Sequence, residues 1–247
     1  MARASDPSVE PASRPGPTGD LLARGRAADV FALAPDRVLR RYRPGEGGDV
    51  TAEAAVIEHA RRHGFPVPAV HEASGRDLVL ERIDGPTMLA DLARRPWRLR
   101  AHGALLAELH RRLHRIPAPD GAPSRFGTGD RLVHFDLHPD NVLLSPAGPV
   151  VIDWSNGSRG DPADDVALTW AIMATSIVPG PLPFRVLARA GRNELLRAFL
   201  SGVDAAAARR RLAAVAARRL EIDHHLLAPE RRGLEALVAR HGAGRLQ

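Results

Sequence analysis

The sequence contains no cysteine, which excludes a disulfide framework, a thiolate metal site and a cysteine nucleophile. It contains no lysine either: all 35 Lys+Arg positions are arginine, so every phosphate contact or ion pair from a fixed cation must use a guanidinium. Aromatic residues are scarce at 4%, with one tyrosine, and a cage of rings around a quaternary ammonium is hard to build from so few. No apolar run is long enough to span a bilayer, the longest lying near Val166 to Val178. The first residues, Met-Ala-Arg-Ala-Ser-Asp-Pro, lack the apolar core of a signal peptide, so a cytoplasmic location without membrane association is expected. The net charge of +6 comes from arginines spread along the chain, without one basic patch or interleaved aromatics, which argues against nucleic-acid binding.

What is present is globular: 44% hydrophobic and 26% charged residues in 247, a length at which one core tends to divide into lobes. Residues 1–18, with Pro7, Pro11, Pro15 and Pro17, read as a disordered tail. The chemistry concentrates between Leu132 and Trp154. Two apolar runs, Val142-Leu143-Leu144 and Val150-Val151-Ile152, flank Ser145-Pro146-Ala147-Gly148-Pro149, a pattern for a hairpin. A hairpin returns to its start, so Asn141 before it and Asp153 after it should meet at the open end, with Asp136 leading in. Hard oxygen ligands with positions left for phosphate and water suit magnesium carrying a nucleotide. The carboxylate left over can take a proton from an attacking hydroxyl.

His134-x-Asp136-x-x-x-x-Asn141, the hairpin, Ile152-Asp153-Trp154 and then Gly160-Asp161-Pro162-Ala163-Asp164-Asp165 resemble, in order, the motifs of the aminoglycoside phosphotransferase family. That family is the small-molecule branch of the protein-kinase-like fold. The resemblance implies an α+β, two-lobed architecture: an antiparallel-sheet, nucleotide-binding N-lobe over 19–83 and a mainly helical C-lobe over 84–247. It implies ATP and Mg2+ as cofactors and a small-molecule hydroxyl as acceptor of the γ-phosphoryl group. Asp136 is then the base, Asn141 and Asp153 the magnesium ligands, and His134, Asp161 and Asp165 supporting residues. Asp165 would accept hydrogen bonds from the catalytic-loop backbone, and Asp161 would orient the same region or cap the following helix. The short segment Ser155 to Pro162, and the lack of Arg between His134 and Asp136, argue against a protein kinase.

In the first lobe, Leu21 to Tyr42 reads as two or three short strands. The loop Arg24-Gly25-Arg26-Ala27-Ala28 stands where the family folds backbone over phosphates, with Gly25 as its permissive residue. Arg40 occupies the strand position of the family's phosphate-binding lysine. Val50 to His63 has helical spacing, and Glu53 shares its inward face with Val56, Ile57 and Ala60, so it needs a cation; Arg40 is the candidate. Val67 to His71 and Asp77 to Arg82 read as strands. By position, the Glu81 carbonyl and the Ile83 N–H would hold adenine.

In the second lobe, His102 to Ile116 is amphipathic, with Leu105, Leu106, Leu109, Leu113 and Ile116 on one side. His110 and His114 are spaced for a shared metal, but no third ligand is near, so packing or solvation is expected. A Pro- and Gly-rich linker covers Pro117 to Asp130, Asp165 opens an apolar helix over Val166 to Ile177, and three helices follow from Pro183 to Arg240. The clusters at Arg209 to Arg211 and Arg218-Arg219 read as a solvated face, with binding of an anionic substrate the lesser alternative. Two other functions compete: a catalytically silent nucleotide-binding protein, suggested by Arg40 and the meagre glycine loop, and a metal-dependent hydrolase using His134, Asp136 and His138. Against the hydrolase, Pro139 would break the strand that aligns the three.

Overall fold

The computed structural model describes residues 19–176 and 181–242, so the tail expected at 1–18 lies outside the described residues. Backbone groups of short strands need partners, and the first five strands supply them in one antiparallel sheet. These are β1 (Leu21–Arg24), β2 (Ala28–Ala34), β3 (Arg37–Tyr42), β4 (Val70–Ser74) and β5 (Asp77–Glu81), ordered β1-β2-β3-β5-β4. The strand expected from Val67 begins only at Val70. Pro66 and Pro68 have no N–H to give a ladder, and the Pro66 carbonyl instead accepts from Val151 N–H at 2.8 Å.

Helix α1 (Val50–Arg62) joins β3 to β4. Asp49 caps it, accepting from Thr51 N–H at 2.8 Å, and Gly64 at φ +73° ends it in the left-handed conformation that glycine tolerates. Val56 and Ile57 are buried, each contributing roughly 1.5–3 kcal/mol of hydrophobic stabilisation.

The remainder is mainly helical: α2 (Met88–Arg94), α3 (Leu99–Leu113), α4 (Pro162–Thr175), α5 (Leu182–Leu200), α6 (Ala205–Ile222) and α7 (Ala228–Gly242). Two small antiparallel pairs carry the loops between α3 and α4: β6 (Arg131–Val133) with β9 (Ser158–Gly160), and β7 (Val142–Ser145) with β8 (Gly148–Val151). Three expected boundaries move. The hairpin turn is tighter than the sequence suggests, because Ser145 pairs with Gly148 and only Pro146 and Ala147 are left as loop. Helix α3 starts at Leu99 and ends before Ile116, and Leu105 is only half-buried on it. Helix α4 starts at Pro162, a residue suited to the first turn, which places Asp165 inside the helix; it ends at Thr175, and Ile177 lies outside the described residues.

One buried cluster runs from Val56 and Ile57 of α1 through Val142 and Val151 of the hairpin to Trp154, α4 and α6. The contact between α1 and the loop after β8 is close: a Cβ on Gly157 would lie 2.8 Å from Val56 Cγ1. The helix bearing Glu53 is thereby locked against the loop bearing Asp153. Among the described residues no helix is long and apolar enough to cross a membrane.

Candidate active site

Strand β6 ends at Val133, and the chain then turns through Phe135 at φ 53°. Left-handed backbone is costly for a bulky residue and persists only where surroundings enforce it. Here the turn aims two successive N–H groups at one carboxylate: Phe135 N–H donates to Asp165 Oδ1 at 2.7 Å and His134 N–H to Oδ2 at 3.4 Å. Asp165 is fully buried on the first turn of α4 and is also met by His114 Nε2 at 2.8 Å. Burial alone would raise its carboxyl, but the His114 hydrogen bond and the nearby imidazoles hold it well below the usual range.

Past Phe135, a turn of 3-10 helix (Pro139–Asn141) returns the chain to β7. Asn141 Nδ2 donates to the Asp136 carbonyl at 2.9 Å and to Asp136 Oδ2 at 3.1 Å, which fixes the carboxylate beside the carboxamide. Asp136 keeps 27% of its side chain exposed, with His138 Nε2 3.6 Å from Oδ1. Burial raises its carboxyl, and His138 partly offsets that. At the other end of the hairpin, Ile152 N–H donates to the Asn141 carbonyl at 3.0 Å, bringing Asp153 alongside.

Asp153 is the second left-handed non-glycine residue, at φ 63°. Its Oδ1 accepts from Arg40 Nη2 at 2.6 Å and from Ser155 Oγ at 2.9 Å. Arg40 reaches there from β3 while its Nη1 donates to Glu53 Oε1 at 2.7 Å, and Tyr42 donates to Glu53 Oε2 at 2.6 Å. The guanidinium lies 4.8 Å from the Tyr42 ring centroid. Glu53 is buried, with 6% of its side chain exposed, and meets Arg40 as the spacing of its inward face led one to expect. Burial raises Glu53 despite Arg40; Asp153, which burial would also raise, is instead lowered by Arg40 and Ser155.

Two oxygens at the hairpin's open end, Asn141 Oδ1 and Asp153 Oδ2, have no donor among the described residues. They are hard, adjacent in the fold and too few to complete a shell, which fits a magnesium ion shared with phosphate and water oxygens. Among the described residues no group of three or more His, Asp or Glu is placed to hold a metal alone.

The loop holding Gly25 is clamped by Arg43, which donates to the Gly25 carbonyl at 3.0 Å, the Arg26 carbonyl at 2.7 Å and Asp29 at 2.6 Å. A Cβ at Gly25 would lie 2.8 Å from the Ala28 carbonyl oxygen. Glu81 N–H is spent on the Ala69 carbonyl at 2.9 Å, whereas Ile83 N–H has no partner among the described residues.

Other residues fall elsewhere. His134, Asp136 and His138 do not share a face: the turn at Phe135 breaks the alternation, and His134 is buried against Trp154 with Nε2 3.1 Å from the Ile152 carbonyl. The hydrolase arrangement is therefore not assembled. Asp161 caps α4 through Ala163 N–H at 2.8 Å and pairs with Arg211 at 2.8 Å. Arg211 makes that pair from the solvated face expected of it, with 46% of its side chain exposed, whereas Arg219 departs from that face, with 13% exposed. Two contributors are invisible in the sequence pattern. Arg43 reads as the first residue of a loop, and His114 as one of a histidine pair; its spacing three and four residues after Arg111 and His110 says which helical face it occupies and nothing of Asp165.

The phosphotransferase enzyme family model (APH) matches residues 19–131 and 128–198. A thermostable mutant of an aminoglycoside phosphotransferase, solved with ADP and hygromycin B, is similar with a TM-score of 0.63 and 19% identity, over 92% of this chain and 94% of that one. A choline/ethanolamine kinase family protein from Mesorhizobium loti gives 0.54 and 18%, over 92% and 88%. An ethanolamine kinase from Plasmodium vivax gives 0.58 and 10%, over 89% and 81%. At such identities the likeness is one of fold. A probable bifunctional tRNA threonylcarbamoyladenosine biosynthesis protein of Methanoculleus marisnigri is 31% identical over 107 residues, 43% of this chain; the match spans 16% of that protein's length.

Proposed function

The chain belongs to the phosphotransferase enzyme family, and from that premise we propose that it transfers the γ-phosphoryl group of ATP to a hydroxyl of a small molecule. The observation that carries the reading is the convergence on one point of Asp136, Asn141 and the Glu53–Arg40–Asp153 chain. The Asp136 carboxylate orients the acceptor hydroxyl and takes its proton as the acceptor oxygen bonds to γ-phosphorus. The bond from that phosphorus to the bridging oxygen breaks, and ADP leaves with the electron pair. Arg40, oriented by Glu53, steadies the phosphates, the Gly25 loop covers them, and Ile83 N–H with the Glu81 carbonyl receives adenine. Asn141 and Asp153 hold magnesium, which when bound supplies charge to the phosphate oxygens. Asp165 and His114 keep the loop bearing Asp136 in its strained turn, and His134 packs beneath it.

A second reading, a silent nucleotide-binding protein, draws on one observation: both terminal nitrogens of Arg40 are already engaged by carboxylates. ADP release over a panel of hydroxyl compounds separates the two. Acceptor-dependent release that Asp136→Asn removes supports transfer; ADP binding without release under any acceptor supports the silent protein.

A further inference from the structure

We propose that His138 is a further catalytic residue: its Nε2–H donates a hydrogen bond to the oxygen of the acceptor hydroxyl whose proton Asp136 takes. The proposal rests on the phosphotransfer reading above and adds a second group that aims the nucleophile.

His138 is left without a task once the hydrolase arrangement fails, but it stands beside the base. Pro139 follows it and confines it to extended backbone, φ −128° and ψ 171°. From there the ring caps the 3-10 turn, with Nδ1 accepting Asp140 N–H at 3.3 Å. A ring nitrogen that accepts carries no proton, so the proton of the neutral ring sits on Nε2. Nε2 lies 3.6 Å from Asp136 Oδ1. It also lies 3.4 Å from Asn141 Nδ2, but that amide spends its hydrogens on the Asp136 carbonyl at 2.9 Å and on Oδ2 at 3.1 Å. Among the described residues the Nε2–H therefore has no acceptor within hydrogen-bond distance.

The side chains of His138 and Asp136 are 23% and 27% exposed, so both are reached from outside. Oδ2 of the carboxylate is held by Asn141, while Oδ1 faces the ring. Their separation is too long for a direct hydrogen bond, which spans about 2.7–3.2 Å, but an oxygen seated against both atoms is within reach of each. A hydroxyl oxygen has one bond to carbon, one to its proton and two lone pairs. With the proton given to Oδ1 and one lone pair held by Nε2–H, only the second lone pair is left to face phosphorus. Two contacts thus fix a line of attack that one carboxylate leaves free to rotate. As that lone pair bonds to phosphorus, the hydroxyl proton passes to Asp136 and the Nε2 proton stays on His138. ADP departs with the electron pair of the broken bond.

The test uses the full chain with magnesium and ATP, the panel of hydroxyl compounds, and water, whose attack is read as phosphate release without acceptor. His138→Leu keeps bulk and removes the donor. It should lower kcat/KM for the acceptor by about ten- to a hundredfold while the Kd of Mg-ADP stays within about twofold. His138→Gln carries an amide N–H to about the same place and should regain most of that loss. Undiminished turnover in His138→Leu, or a folded His138→Gln as slow as His138→Leu, overturns the proposal. Should His138→Leu fail to fold, the ring is read in the original chain by proton–nitrogen NMR with Mg-ADP, at about pH 8.5, well above the ordinary imidazole pKa. The His138 signals, assigned by their absence from His138→Gln, should place the proton on Nε2. That signal should move on adding the panel member that turns over fastest, or glycerol where none does. A proton on Nδ1, or an Nε2–H signal that the added compound leaves in place, overturns the proposal. Failure of the phosphotransfer reading is distinguishable: no ADP release with any acceptor or with water contradicts transfer, and the ring signals then decide the donor alone.

Discussion

Arg40 holds two carboxylates at once, Glu53 from α1 and Asp153 from the hairpin. Because the contact with Glu53 is dry, deleting one partner strands a buried charge, whereas deleting the charge as well relieves much of the cost. Arg40→Met should therefore lose about 3–5 kcal/mol in denaturant melts, and Arg40→Met with Glu53→Gln should recover part of it. A double variant no more stable than the single one would contradict the pairing. For Asp136 the sign is fixed by burial, which disfavours the ionised form and raises the carboxyl above its ordinary 3.8. Asp136 then stays protonated to a higher pH, so if it is the base, as proposed, the acidic limb of kcat/KM should have an apparent pKa above 3.8; a limb at or below that value counts against Asp136 as base. The contact between Arg40 and Glu53 was legible from the sequence, since helical spacing places Glu53 among buried apolar neighbours and strand alternation orients Arg40. That Asp153 shares the same guanidinium was not, because it depends on where the hairpin docks against β3.

At the scale of elements, α3 and α4 meet through histidines. His110 Nδ1 lies 2.9 Å from the Leu106 carbonyl and Nε2 3.1 Å from Thr169 Oγ1 of α4, and burial pushes its pKa down to about 4 from 6.5. The unfolded chain thus binds a proton that the folded one refuses. Stability from this residue is complete above pH 6.5 and falls as the pH drops towards 4. Between pH 7 and 5 the loss should be about 2 kcal/mol, measured by urea unfolding, and His110→Gln should flatten the slope. A slope unchanged in the variant would place the titration elsewhere. The helices themselves were readable as apolar stripes, but their ends were not. The Asp161 cap and Pro162 at the first turn start α4 four residues before the apolar run at Val166, and prolines 66 and 68 delay β4 until Val70. Nor could spacing show that His114 faces Asp165, because that pairing joins two helices 51 positions apart in sequence.

Across the whole molecule, two contacts among the described residues tie loops beside the sheet to α7 and the turn before it. Arg26, beside Gly25, donates to Glu230 of α7 at 3.1 Å, and His225 meets Glu46 at 3.2 Å. Both are partly exposed, and such pairs are worth about 0–1 kcal/mol, too little to hold the fold but enough to bias a loop. Glu230→Gln should leave unfolding within about 1 kcal/mol of the original while speeding release of a fluorescent ADP analogue in stopped flow. An unchanged release rate would show that the Arg26 loop does not cover the nucleotide. The two-part fold was legible because the motifs fall in a fixed order along the chain. These tethers were not, since Arg26 and Glu230 are separated by 204 positions and nothing local to either marks the other.

All three scales converge on Asp136, and its central role is tested most directly by following radiolabel from γ-labelled ATP into a hydroxyl acceptor, with magnesium, in the original chain and in Asp136→Asn. The label should pass to the acceptor, and the substitution should slow transfer by about two to four orders of magnitude while ADP still binds. Transfer at an undiminished rate in Asp136→Asn would contradict the account.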